Sequence, residues 1–256
     1  MIIGGLLAFA LTNLFAASWQ IKLSCIAIPA FIYLAMAVSL KYPVTERVAA
    51  NVSTGDMWRQ AAHPLFLVLF VSMWMTAAIE LGPDQWFPAV MGALVPQLQG
   101  VLFLVYTAGL VFLIRLYGGD IPHKAPVPTL FLSSILTGLG LYWLGGLQPG
   151  SSPAVAFAAA TIFGIGKSFF WPTMIGVTAE LFPRGGALLI SLVGGAGMLS
   201  AAVALPLMGA RIDQFGPGAA LQYIATLGPI LAVVFGLMYM YLRSRGGYRA
   251  VEVTSS

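Results

Sequence analysis

The chain has 256 residues, 59% of them hydrophobic and 8% charged, with a mean hydropathy of +0.92. A soluble domain carries about 25% charged residues, so a chain this apolar cannot cover its surface in water; an all-α polytopic protein in a lipid bilayer is expected. The net charge of +4 comes with no basic, aromatic-interleaved soluble stretch, which argues against nucleic acid as a partner, and the single cysteine, Cys25, excludes an intrachain disulfide or a cysteine-based metal site.

Eight apolar runs follow in chain order: residues 2–17, 23–40, 64–95, 101–116, 127–146, 153–181, 187–210 and 219–242. Most reach the roughly 20 residues needed to cross a hydrocarbon core of about 30 Å. They read as helices, because every backbone polar group in lipid must be paired within the segment, and barrel strands would alternate polar with apolar. The first run starts at Met1 with no charged leader or cleavage site, so it is not a signal peptide; it reads as the inside of a helix of something longer.

With Met1 on the cytoplasmic side, the inner connections hold Lys41, Arg47, Arg59, Arg115, Lys124, Arg184, Arg243, Arg245 and Arg249. The outer ones hold only Lys22 and Arg211. This asymmetry predicts eight spans with both termini inside, in a cell (inner) membrane.

The division into units is 1–40, 41–63, 64–245 and a tail 246–256. Residues 41–63 form the longest polar stretch and read as a cytoplasmic connector, with a short amphipathic surface helix near residues 57–62 as the alternative. The six later runs split into two triplets, 64–146 and 153–242. Three spans is an odd number, so the triplets have inverted topology. The first run of each is interrupted, at Leu81-Gly82-Pro83-Asp84-Gln85-Trp86 and at Phe169-Phe170-Trp171-Pro172-Thr173. Breaks at matching places in inverted repeats point to a transporter's binding site, since proline removes a backbone bond and kinks the helix.

Two opposite charges stand near the middle of these runs, Glu80 and Lys167. Charges at that depth are costly and mark function. The expectation is that they pair across a cavity, with Glu80 coupling protons and Lys167 setting its charge state or binding a substrate oxygen. Gln85 and Trp86, with Asp84 less so, and Trp171 are expected to contact a sugar-like ligand, with an indole stacking on the ring and the amide taking hydroxyls. Gly82, Pro83 and Pro172 are the helix breaks. Gly194, Gly195, Gly197, Ala201 and Ala202 read as a close-packing seam, and Arg211 with Asp213 as a local pair. Gly166-Lys167-Ser168 is not a phosphate loop, because Thr161 stands where the pattern needs glycine. Neither a zinc-protease HExxH motif nor a histidine within a run is present, so an enzyme is not expected, and no cofactor or metal is implied.

Ala179-Glu180-Leu181-Phe182-Pro183-Arg184-Gly185-Gly186-Ala187 resembles the E-x-F-P-x-R-G-x-A signature of the major facilitator superfamily, which joins helices 10 and 11 on the cytoplasmic side. Residues 115–124, with Arg115, Asp120 and Lys124, look like a degenerate form of the family's loop between helices 8 and 9. Residues 76–86 resemble helix 7 of its sugar and nucleoside permease-like members. The resemblance implies family helices 5 to 12, with 41–63 as the central loop and helices 1 to 4 lacking. It further implies alternating access, with helices 7 and 10 lining the cavity and Arg115, Asp120, Lys124, Glu180 and Arg184 serving the cytoplasmic conformational motifs. The expected function is secondary active transport of a small polar solute, a sugar or nucleoside, by symport with a proton or other coupling ion. The rival is a truncated, transport-incompetent sensor or scaffold.

Overall fold

The computed structural model describes residues 2–41 and 51–251. Its helices are α1 (Ile2–Asn13), α2 (Trp19–Ser24), α3 (Ala27–Ser39), α4 (Thr54–Ala61), α5 (Pro64–Leu94), α6 (Val101–Gly118), α7 (Asp120–Lys124), α8 (Pro126–Gly145), α9 (Pro153–Lys167), α10 (Phe170–Leu181), α11 (Gly186–Phe215), α12 (Pro217–Ala225) and α13 (Leu227–Ser244), with a 3-10 turn at Pro183–Gly185. No strand occurs among the described residues.

Among the described residues, seven helical segments are long and apolar enough to cross a membrane: Trp19–Ser39, Pro64–Leu94, Val101–Gly118, Pro126–Gly145, Pro153–Leu181, Pro183–Phe215 and Pro217–Ser244. The chain is therefore a polytopic all-α helical membrane protein. The first apolar run forms α1, whose described part has 12 residues, about 18 Å of helix. It ends where the Asn13 amide bonds back to Phe9 O at 2.8 Å and pairs with Gln99, whose Nε2 donates to Asn13 Oδ1 at 2.8 Å. Arg47 and the rest of residues 42–50 of the connector lie outside the described residues, as do residues 252–256 of the tail. Within the connector, Ser53 caps α4 by accepting from the Asp56 N–H, and Met57 is buried.

The span boundaries follow from local chemistry. Proline stands at the first position of α5, α8, α9, the 3-10 turn and α12, where its missing N–H is no loss and its fixed φ suits the helix.

The two triplets pack by exchange. The first helix of one, α5, lies along α11 of the other, while α9 of the second lies along α6 of the first; α8 packs on α12 and α13. In lipid, no hydrophobic effect drives helices together, so contact depends on close fit. Phe87 meets Phe163 at 5.3 Å between α5 and α9, and Phe103 stacks on Phe157 at 4.5 Å between α6 and α9. These contacts fix the three helices that carry the charged residues.

The close-packing seam differs from expectation. A Cβ on Gly194 or Gly195 would meet nothing, and only Gly197 of that group is tight, against Trp171 and Met73. The seam lies on α8 instead, where a Cβ on Gly140 would overlap the Phe163 backbone, and one on Gly166 of α9 would overlap Thr137. Arg211 does not pair with Asp213; it lies over the Tyr223 ring at 4.3 Å.

Candidate functional site

α5 is not broken at Gly82-Pro83, contrary to expectation. It continues through Pro83 and Pro88 as one helix of 31 residues, as buried membrane helices can when neighbours support the freed carbonyls. The other break is present but earlier than expected. α9 ends at Lys167, Ser168 and Phe169 intervene, and α10 starts at Phe170. Pro172 falls in the first turn of α10, where a missing N–H is tolerated.

The broken segment is repaired by side chains. Ser168 O would normally receive the N–H of residue 172, but that residue is proline. The Nε–H of Arg115, from the last turn of α6, donates to Ser168 O at 2.6 Å in its place. The Ser168 hydroxyl donates to Gly164 O at 2.6 Å.

This arrangement brings four charges together from three helices. Lys167 Nζ donates to Asp84 Oδ1 at 2.5 Å, with both side chains 3% exposed, and lies 4.8 Å from the Phe163 ring centroid. Arg115 Nη2 stands 3.9 Å from Glu80 Oε1, with side-chain exposures of 41% and 13%. Glu80 Oε2 is buried without a hydrogen-bond partner. Glu80, Asp84, Arg115 and Lys167 line a cavity of about 530 Å³, completed by Ile3, Ala108, Val111 and Phe112. A cavity of this size suits a small solute.

The expected Glu80–Lys167 pair is thus corrected: the lysine's partner is Asp84, one turn further along α5. Sequence reasoning ranked Asp84 below its neighbours and read Arg115 as a loop residue. The signal for Asp84 was its spacing of four from Glu80, which places both acids on one helix face. The signal for Arg115 was weaker, a base in the last turn of an apolar run.

The other expected site residues lie elsewhere. Gln85 is exposed and does not line the cavity. Trp86 points away, its Nε1–H donating to Leu205 O of α11 at 3.2 Å. Trp171 packs against Gly197. Asp120 and Lys124 are exposed on α7 and make no ion pair among the described residues. Arg184 is exposed in the 3-10 turn. Glu180 accepts from the Tyr248 hydroxyl at 2.6 Å, and its carbonyl accepts from Val251 N at 2.8 Å, so the tail caps the end of α10. Burial, and then this bond to a carboxylate, push the Tyr248 phenol up from its ordinary value.

A second, smaller cavity of about 210 Å³ lies between α6, α7, α8 and α10, with Arg115, His123, Thr173 and Glu180 in its wall. No group of three or more metal-ligating side chains occurs among the described residues. Comparison with protein-family models and with curated proteins returns no match for this chain.

Proposed function

We propose that this protein is a proton-coupled secondary transporter of a small polar solute, working by alternating access in the cell membrane with its termini inside, as its resemblance to the major facilitator superfamily implies. The observation that carries this reading is the charged cavity. Two acids and two bases from α5, α6 and α9 surround about 530 Å³ within otherwise apolar spans. Charges at this depth are kept for transport paths and proton relays. Glu80 takes the coupling role. Its Oε2 is buried without a partner, which is costly for a charge; a proton removes that cost, and its loss restores it. The sugar or nucleoside reading leaned on Gln85, Trp86 and Trp171, whose side chains do not line the cavity. The solute class therefore follows the charged groups.

The test is Glu80→Gln in proteoliposomes. Solute exchange down its own gradient should persist, because the amide keeps the shape. Uphill uptake driven by a proton gradient should fall at least tenfold, to the passive rate. Normal uphill uptake by this variant would overturn the assignment of Glu80.

A further inference from the structure

The four charges are not equally available to a ligand. Lys167 and Asp84 are closed on each other, both 3% exposed. Glu80 is 13% exposed and its Oε2 is buried, so a cationic ligand could not reach that oxygen. Arg115 is 41% exposed. Its Nε is held by Ser168 O, which fixes the guanidinium plane. Its Nη groups have no hydrogen-bond acceptor among the described residues, since 3.9 Å to Glu80 is beyond hydrogen-bond range. The remaining wall, Ile3, Ala108, Val111 and Phe112, is apolar and offers nothing to the hydroxyls of a sugar. A fixed guanidinium with a free edge beside an apolar wall matches a carboxylate on an apolar body.

We infer that the cavity takes a small organic monoanion with an apolar body, held by Arg115, and that a proton on Glu80 is what releases Arg115 to hold it. The inference rests on the transport reading and adds the solute class and the origin of coupling. The charged groups acting on Glu80 are Lys167 of α9, Asp84 of its own helix and Arg115 of α6. Lys167 and Asp84 cancel, and Glu180, which shares the wall of the second cavity with Arg115, accepts from the Tyr248 hydroxyl, so the anion that competes for Arg115 is the Glu80 carboxylate. An anion entering alone would leave the cavity with an uncompensated negative charge in a low-dielectric setting. When water delivers a proton to Glu80, the acid becomes neutral and the guanidinium pairs with the ligand carboxylate. Proton and anion then bind together and leave together, as a neutral sum.

Benzoate is the probe, with its neutral amide benzamide, glucose and uridine for comparison. Binding to the purified full chain is measured by equilibrium dialysis, proton uptake in weakly buffered medium, and transport separately in proteoliposomes. Benzoate should bind with uptake of one proton, and benzamide should not compete. Glu80→Gln should bind benzoate at least as well, without proton uptake. Arg115→Gln should lose about 30-fold in affinity, the scale of charge-assisted hydrogen bonds. Competition by benzamide, proton uptake that persists in Glu80→Gln, or no benzoate binding would each overturn the inference. If Arg115→Gln does not fold, the proton count and the benzamide comparison still decide. Uptake of glucose or uridine without benzoate binding leaves the transport reading standing and overturns the solute class. Benzoate binding without any uptake does the reverse.

Discussion

Lys167→Met will destabilise the folded protein by about 3–5 kcal/mol, because it strands Asp84 as a buried charge. Asp84 is 3% exposed and its partner is the lysine ammonium. The nearest other acid, Glu80, sits one turn away on the same helix and adds repulsion. Asp84→Asn should cost a similar amount, through the lysine left behind. The double variant Lys167→Met, Asp84→Leu should recover most of the loss, because a matched apolar pair carries no desolvation cost. Reversible unfolding in mixed detergent micelles measures all three. A double variant no more stable than either single would show that side-chain shape, and not stranded charge, sets the cost. In that case the pair does not act as an electrostatic unit.

Much of this fold was readable because membrane spans are written in length and apolarity, and proline marks their starts. The runs beginning at 64 and 153 match α5 and α9 at their first residue. The end of the first helix was not readable because apolar composition continues past Asn13, while the hydrogen bonds that end α1 come from Asn13 itself and from Gln99, far along the chain. The site was half readable. Helix geometry turns about 100° per residue, so Glu80 and Asp84 share a face, while Gln85 and Trp86 are carried round α5 to other neighbours. That rotation was available from spacing alone and separates the charged face from the aromatic one. Which base meets which acid was not available, because it depends on how α6 and α9 are set against α5. The role of Arg115 is of the same kind. Its acceptor, Ser168 O, is free only because Pro172 lies four residues on, and only the fold brings α6 to that gap. The seam on α8 was hidden for a related reason. Glycines on α8 and α11 look alike in sequence, and only the partner backbone distinguishes Gly140 from Gly194.

Gly140→Leu will be the second severe substitution. The helices α8 and α9 run antiparallel, with Gly140 against Phe163 and Thr137 against Gly166. At Gly140 a Cβ would overlap the Phe163 backbone, and backbone cannot rotate away as a side chain can, so the two helices must separate. Gly140→Ala should cost about 1–3 kcal/mol, the range for overpacked cores, and leucine more. The control is Gly194→Leu on α11, where a Cβ meets nothing within 4 Å; that change should stay within about 0.5 kcal/mol. The damage should reach the cavity, because Lys167 ends α9 one residue beyond Gly166 and is positioned by that helix against Asp84. In Gly140→Ala, the further loss on adding Lys167→Met should be smaller than in the parent, since a displaced α9 has already weakened the pair. Unfolding measured on the four members of this cycle and on the two leucine variants tests both points. Equal stability of Gly140→Leu and Gly194→Leu would remove the seam, and strict additivity between Gly140 and Lys167 would separate the seam from the charged site.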